Sequence, residues 1–453
     1  MSKNLVSSIS GIRGIVGSGL NPEIIIKYIN AYCELINGNK IIVGQDGRVS
    51  GKAISDIVIS TLQFLGYEVL DIGLAPTPTV QVAVENFCAD GGIAITASHN
   101  GIEWNGLKFL SKTGMFLDLE EYNKMMNCFN NQKNNYKAWD KIGAHKIITD
   151  FDDIHIQKIL DIPFIQVDKI SERKFKVVLD SVNASGSKII PKLLKKLGCE
   201  VIKINCESNG IFPHIPEPLP QNLSELCQKV INEKADIGIA VDPDADRLVL
   251  ICETGEPFGE EYTITQTIKF MLGKKKGNVV INVSSTRAVD DITKKYGGTL
   301  IKTPVGEINV AKKMKEVGAV IGGEGSGGVI LPDVHLGRDS LVGIALTLQH
   351  LLEFSGTLSQ LKKSLPEYYM SKNKVELNSL EEASSTLELL LKNHKTDNIT
   401  TIDGLRIDYQ DSWIIIRKSN TEPIIRIYSE ATTQDGADSL AESFKQEILS
   451  LRK

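Results

Sequence analysis

Residues 89–95 read Ala89-Asp90-Gly91-Gly92-Ile93-Ala94-Ile95, and residues 235–241 read Ala235-Asp236-Ile237-Gly238-Ile239-Ala240-Val241. Each near-copy carries an Ala-Asp step into a short apolar run and then delivers the chain into a polar loop, the pattern of a buried strand that ends at a ligand-bearing turn. Gly318-Ala319-Val320-Ile321-Gly322 is a looser third copy. Repetition at so long a period predicts three related domains and not a solenoid of short repeats.

Outward from these junctions, β-branched runs alternate with amphipathic helical stretches, which predicts layered α/β units on mostly parallel sheets. In the first unit, 40–46, 67–72 and 92–96 read as strands and 54–65 as a helix, with 79–87 leading into the last strand. The second unit offers strands at 175–180, 200–205 and 236–241 and helices at 188–197 and 223–233. The third offers 278–283, 299–303 and 319–321 as strands, with 289–296 and 308–317 helical. Beyond about residue 370 the pattern changes to strands at 374–377, 404–409, 413–417 and 424–428 and helices at 380–391 and 435–451, a smaller C-terminal α+β domain. Linkers at 154–160, 253–259 and 366–372 give four domains, 1–150, 151–253, 254–369 and 370–453, around a central cleft. Loops at the carboxyl ends of parallel strands are where such folds gather ligands, so the three junction loops are expected to face that cleft.

The 453 residues are 42% hydrophobic and 24% charged, an ordinary globular composition too long for one core. With 51 Lys plus Arg against 56 Asp plus Glu, the net charge of −5 gives no field for nucleic acid or an anionic membrane. Seven scattered cysteines without a C-x-x-C pair read as reduced thiols, and no apolar stretch is long enough for a membrane span, so the expected location is the cytoplasm.

Four loops carry the chemistry. Thr96-Ala97-Ser98-His99-Asn100 leaves a buried strand and is followed by Asn105-Gly106-Leu107-Lys108; Ser98 is read as exposed on a tight turn, a candidate phosphoryl acceptor, against the plainer reading of a helix cap. A Ser-His hydrolase is disfavoured because no G-x-S-x-G elbow surrounds it. Asp242-Pro243-Asp244-Ala245-Asp246-Arg247 concentrates three carboxylates, an arrangement that suits Mg²⁺, with a solvated acidic turn as the alternative. An EF-hand does not fit, because the chain runs straight into the strand 248–251. A phosphate on Ser98 could complete the ion's coordination.

Gly322-Gly323-Glu324-Gly325-Ser326-Gly327-Gly328 contains G-x-G-x-x-G, yet an extended segment follows where a dinucleotide fold needs a helix, and Glu324 would repel a pyrophosphate. Glu324 and Ser326 suit sugar hydroxyls, with a plain flexible loop as the alternative. Arg417-Lys418-Ser419-Asn420-Thr421-Glu422-Pro423 with Arg426 reads as an anion pocket, against a mere basic hairpin. Gly11-Ile12-Arg13-Gly14 reads as an arginine on a glycine-flanked turn.

In this order and over nearly the whole chain, these motifs resemble the α-D-phosphohexomutase superfamily of phosphoglucomutase, phosphomannomutase and phosphoglucosamine mutase. The resemblance implies an isomerase that interconverts hexose 6-phosphate and hexose 1-phosphate through a phosphoserine and a hexose 1,6-bisphosphate intermediate. It implies a catalytic set of Ser98, His99, Arg13, Lys108 and Arg247, with Mg²⁺ held by Ser98, Asp242, Asp244 and Asp246. Glu324 and Ser326 would bind sugar hydroxyls; Arg417, Ser419, Asn420, Thr421 and Arg426 would grip the phosphate that is not reacting.

Three positions depart from the pattern. Gly101 stands where the serine loop usually has proline. Gly328 stands where the sugar loop commonly ends in histidine, leaving that contact to another residue, for which His335 is a candidate against a structural role. Glu307 stands where bispecific enzymes often have histidine and phosphoglucosamine mutases aspartate, which tilts the expected substrate toward glucosamine phosphate, with mannose or glucose phosphate as the alternative. More remote readings are a metal-dependent sugar phosphatase and a sugar-phosphate-binding protein without turnover.

Overall fold

The computed structural model describes residues 4–131, 135–419 and 422–451, and its described residues form four sheets with helices packed against them. The first three sheets share one strand order. In the first, Lys40–Gln45 pairs in parallel with both Glu68–Leu74 and Gly91–Ile95, and the latter pairs antiparallel with Trp104–Ser111. In the second, Lys176–Asp180 lies between Glu200–Ile204 and Ile237–Val241, which pairs antiparallel with Leu248–Cys252. In the third, Asn278–Asn282 lies between Thr299–Thr303 and Ile321–Glu324, which pairs antiparallel with Gly328–Ile330. The loops at Ser98, at Asp242–Asp246 and at Gly325–Gly327 are therefore topologically the same loop used three times, each leaving the third strand of its unit.

Gly91–Ile95 and Ile237–Val241 are buried at every position, as expected of strands covered on both faces, which is why their sequences run apolar without alternation. The first sheet is extended to seven strands by Leu5–Ser8 and Gly11–Ile15 at one edge and His145–Ile147 at the other. Gly11–Ile15 corrects the expected turn: Arg13 sits on a strand opposite Gly106, because the flanking glycines let two backbones approach closely. The C-terminal unit is an antiparallel sheet in the order Tyr369–Glu376, Ile424–Ala431, Ser412–Lys418, Leu405–Asp408, Ile399–Thr400, backed by the helices Leu380–Asn393 and Gln434–Ser450.

The second and third units share one continuous apolar core, from Ile156 and Phe175 through Leu250 and Ile281 to Leu351, across the segment read as a linker at 253–259. The helix Phe151–Leu160 likewise contributes Ile156 and Ile159 to that core. Helices that the sequence reading did not place complete the layers. Pro22–Cys33 has proline in its first turn and donates its Ile24 N–H to the capping Asn21 side chain, Leu119–Asn130 opens on a capping box of Asp118 and Glu121, and Ser340–Phe354 is capped by Asp339.

Candidate active site

Ser98 takes φ +50°, a left-handed conformation that costs a non-glycine residue energy and therefore needs outside support. Arg48 supplies it. Its fully buried guanidinium donates to the carbonyls of Ser98 (2.5 Å), Asn100 (2.8 Å), Gly101 (2.6 Å) and Trp104 (2.9 Å) and to Asp46 Oδ2 (3.0 Å). Thr96 Oγ1 accepts the Ser98 N–H at 2.8 Å and donates to Asp46 Oδ2 at 2.6 Å. Ser98 is buried, at 2% exposure, not open to solvent as its turn suggested, with Arg48 on its carbonyl and Asp242 of the acidic loop on its hydroxyl.

The acidic loop is held at each of its inner carbonyls by a different element. Ser185 donates to Pro243 O through N–H and Oγ (3.2 and 2.7 Å), the Thr77 N–H to Asp244 O (3.0 Å), and Ser340 Oγ to Ala245 O (2.7 Å). The fixed loop brings one carboxylate oxygen from each of Asp242, Asp244 and Asp246 within 4.8 Å of the others, all fully buried. At that separation and an effective dielectric of about 20, each ionised pair repels by about 3–4 kcal/mol, so cations must offset the cluster. Lys108 Nζ does so at 2.6 Å from Asp244 Oδ2 and 3.3 Å from Asp246 Oδ2, and Arg338 Nη2 at 2.6 Å from Asp246 Oδ2.

Among the described residues no cation makes an ion pair with the Asp242 carboxylate: its Oδ2 accepts from Ser98 Oγ at 3.0 Å and its Oδ1 from the Arg247 N–H at 3.2 Å. Burial, then Asp246 and Asp244, push its carboxyl well above the usual range. Burial works against ionisation of Asp244 too, but the Lys108 ammonium and hydrogen bonds from Lys108 and Thr77 hold its carboxyl below the usual range. Burial likewise opposes the charge on Lys108, and Asp244 and Asp246 outweigh it, so its pKa is raised and it stays an ammonium. Lys108 thus places a positive charge against the acidic loop.

Among the described residues Asp244 Oδ1 and Asp246 Oδ1 are buried without a hydrogen-bond partner, while their Oδ2 atoms are engaged. Unpartnered carboxylate oxygens converging beside Asp242 and Ser98 fit a small divalent cation with all-oxygen ligation. His99 Nδ1 lies 3.3 Å from Ser98 Oγ; burial, then Arg247 and Arg13, push its pKa down to about 2, so the ring is a neutral partner of the serine. Arg13 Nη1 donates to Asn100 Oδ1 at 3.2 Å, and Arg247 Nη1 lies 3.5 Å from Glu217 Oε1, its buried Nε having no hydrogen-bond partner among the described residues.

The sugar loop docks directly on the acidic loop's strand: the Leu248 N–H donates to Gly327 O at 3.0 Å. Gly327 has φ +86°, and a Cβ there would meet the Leu248 carbonyl oxygen at 2.4 Å, so only glycine permits this approach. Glu324 is buried, its Oε1 accepting from Asn282 Nδ2 and the Gly306 N–H (both 2.9 Å) and its Oε2 from Arg338 Nη1 (2.8 Å). Glu307 is also engaged, Oε1 by Gln81 Nε2 (3.1 Å) and Oε2 by Arg338 Nε (3.1 Å), with burial foremost in raising its carboxyl to about 7. Ser326 is half-buried between the two strands.

His335 does not reach this loop. It is buried with Nε2 3.2 Å from Asp339 Oδ2, an oxygen that also meets His155 Nε2 at 2.8 Å, and it serves the packing of Ser340–Phe354. Gly328 explains what stands there instead: a Cβ on it would lie 2.2 Å from Arg338 Cδ, so the arginine side chain occupies that space. The sequence reading missed Arg338, Arg48, Thr77 and Glu217; each acts from an element distant in sequence, and only the adjacency of Arg338 to the helix cap Asp339 hinted at a fixed position.

Of the residues read as an anion pocket, Arg417 and Arg426 lie on the C-terminal sheet. Arg417 faces Arg426 across neighbouring strands, Ser419 is buried at the strand end, and Arg417 Nη2 meets Asp403 Oδ2 at 2.8 Å. Asn420 and Thr421 lie outside the described residues.

The chain belongs to the phosphoglucomutase/phosphomannomutase family of the α-D-phosphohexomutase superfamily, matching alpha/beta/alpha domain I over residues 6–136, domain II over 153–255, domain III over 261–369 and the C-terminal domain over 372–447. It is an enzyme of the mutase class, an isomerase, from a metal-dependent family whose acidic triad suits a metal site. It is 35% identical over 441 residues to a protein of Methanopyrus kandleri named "Probable phosphoglucosamine mutase", covering 96% of each chain. It is 36% identical over 434 residues to the phosphoglucomutase/phosphomannomutase of Thermococcus kodakarensis, covering 94% of each. Among solved structures, a phosphoglucomutase/phosphomannomutase family protein of Burkholderia thailandensis superposes with a TM-score of 0.84 at 26% identity, covering 98% of both chains. Among the described residues no helix is long and apolar enough to cross a membrane.

Proposed function

We propose that this enzyme interconverts hexose 6-phosphate and hexose 1-phosphate through a phosphoserine at Ser98 and a hexose 1,6-bisphosphate intermediate, acting in the cytoplasm with glucosamine phosphate as its preferred substrate. The observation that carries the reading is Ser98 Oγ at 3.0 Å from Asp242 Oδ2, beside the unpartnered oxygens of Asp244 and Asp246.

Phosphoserine gives its phosphoryl group to the free hydroxyl of the sugar monophosphate: the Ser98 Oγ–P bond breaks, a P–O bond to the sugar forms, and the sugar's hydroxyl proton balances the proton that Ser98 Oγ takes up. The bisphosphate turns over in the cleft, and the other phosphoryl returns to Ser98. Asp242, Asp244 and Asp246, with an oxygen of the phosphorylated Ser98, would hold Mg²⁺, which when bound withdraws charge from the transferring phosphoryl group. Lys108 and Arg247 stabilise charge at the reacting centre, and neutral His99 holds the serine oxygen. Arg13 orients Asn100 and faces the same centre. Glu324 and Ser326 accept and donate to sugar hydroxyls, while Arg417, Ser419, Asn420, Thr421 and Arg426 bind the phosphate that is not reacting.

On this reading 1–150 carries the phosphoserine, 151–253 the metal loop, 254–369 the sugar loop and 370–453 the phosphate loop. The likeness to the Methanopyrus relative, named as a probable phosphoglucosamine mutase, supports glucosamine phosphate. The engagement of Glu307 by Arg338 and Gln81 favours a second reading, mannose or glucose phosphate, because the Arg338 guanidinium already offsets the charge that a 2-ammonium group would require. Side-by-side kcat/KM for glucosamine 6-phosphate, mannose 1-phosphate and glucose 1-phosphate decides between them: the proposal expects the amino sugar to be at least equal, and a wide advantage for mannose 1-phosphate overturns it. Phosphate release without isomer formation would instead make the enzyme a phosphatase.

A further inference from the structure

We infer that Arg338 is the positioning residue that registers the sugar loop over the metal loop. One guanidinium donates to three carboxylates from three places: Nη2 to Asp246 of the acidic loop (2.6 Å), Nη1 to Glu324 of the sugar loop (2.8 Å) and Nε to Glu307 at the start of the helix Glu307–Val317 (3.1 Å). The planar fork fixes the relative directions of these bonds, which a lysine could not do. Glu324 is at the same time tied through its other oxygen to Asn282 and to the Gly306 N–H, so the position of Arg338 is transmitted to the whole loop on which a sugar would rest.

Its placement depends on residue 328. The side chain crosses the face of Gly328, whose Cβ position lies 2.2 Å from Cδ, 2.9 Å from Cγ and 3.3 Å from Nε. Gly328 is on a strand and outside the left-handed region, so its backbone would accept alanine; the nearest atoms a side chain there would meet are those of Arg338. Positions 328 and 338 share one volume. Removing Arg338 leaves Glu324 and Glu307 as buried carboxylates without a cationic partner and frees Asp246 from one of its two, so the sugar loop and the metal loop lose their common reference. The three bonds place Arg338 between substrate-facing groups and the acidic loop, and it acts through them.

The inference rests on the phosphohexomutase reading, which isomer formation by the unaltered enzyme tests separately. Arg338→Ala, Arg338→Lys, Gly328→Ala and the double variant Gly328→Ala/Arg338→Ala are compared by kcat and KM for glucosamine 6-phosphate and glucose 1-phosphate, with thermal unfolding of each. Arg338→Ala is expected to lose about 100-fold in kcat/KM, with a raised KM, while its unfolding stays cooperative. Arg338→Lys is expected to recover about a tenth of the parent activity. Gly328→Ala should fall within about threefold of Arg338→Ala, and the double variant should be no worse than Arg338→Ala alone, since both changes remove the same interaction. A purely structural role would lower the active fraction and leave KM unchanged. Parent-like kcat/KM in Arg338→Ala, or in Arg338→Lys should the alanine variant fail to fold, overturns the inference, as does a multiplicative loss in the double variant.

Discussion

Asp403 Oδ2 accepts from Arg417 Nη2 and from the backbone N–H of Val305, each at 2.8 Å. One carboxylate oxygen thus joins the C-terminal sheet to the loop that leads into Glu307, and the next residue of that loop, Gly306, donates its N–H to Glu324 at 2.9 Å. Among the described residues Arg417 Nε is buried without a hydrogen-bond partner, while Nη2 is held by Asp403. Further joints hold the same face: Arg287 donates to the carbonyls of Tyr409, Gln410 and Ser412, and Arg406 to Val283 O.

If Arg417 binds the distal phosphate, Asp403 pre-organises it. Asp403→Ala frees the guanidinium and removes the acceptor of Val305, and KM for the sugar phosphate is expected to rise by about tenfold with kcat changed by less than about threefold. Steady-state kinetics checks this, and an unaltered KM contradicts it.

Thr77 holds the acidic loop through two bonds, its N–H to Asp244 O (3.0 Å) and its Oγ1 to Asp244 Oδ2 (2.7 Å). Thr77→Val keeps the shape and the backbone bond but leaves a buried charged acceptor with one donor fewer. The expected cost is about 1–3 kcal/mol of stability, read by denaturant unfolding, together with a weaker apparent affinity for the activating divalent ion.

Much of this arrangement is legible in the sequence. The three apolar strand ends and the polar loops after them are local signals, and each unit repeats the same strand order. Lys108 was visible as part of Asn105–Lys108, although the polar residues hid that Trp104–Ser111 is a buried strand. The helices Glu260–Lys274 and Ser340–Phe354 were not placed, since their nearly all-round burial erases the amphipathic period. Arg48 and Arg338 escaped because their roles come from partners far along the chain: Arg338 meets Asp246, which lies 92 residues away. A lone arginine in sequence carries no sign of which carboxylates it will join.

Glu261, beneath the sugar loop, accepts the Thr286 N–H at 3.1 Å and has Lys372 at 3.5 Å. Burial is the foremost cause that raises its carboxyl to about 7, against an ordinary value near 4.5. Because the folded-state pKa exceeds the unfolded one, the protonated form is favoured by folding: the contribution is full below the unfolded value and is lost as pH rises through about 7. Melting temperatures of the parent are therefore expected to fall more between pH 5 and 8 than those of Glu261→Gln; parallel profiles contradict the assignment.

Activity is expected to vanish in excess EDTA and to return with Mg²⁺, and Asp244→Asn to lower kcat by about 100-fold or more. Full turnover in chelator would refute the proposed use of the acidic loop.

The central claim is that Ser98 carries the phosphoryl group. Peptide mass spectrometry of the enzyme incubated with hexose 1,6-bisphosphate should find the group on Ser98 and see it leave when hexose monophosphate is added, with no such adduct in Ser98→Ala, which should also lack turnover. An active enzyme that never shows that adduct, or a Ser98→Ala variant as fast as the parent, would contradict the account.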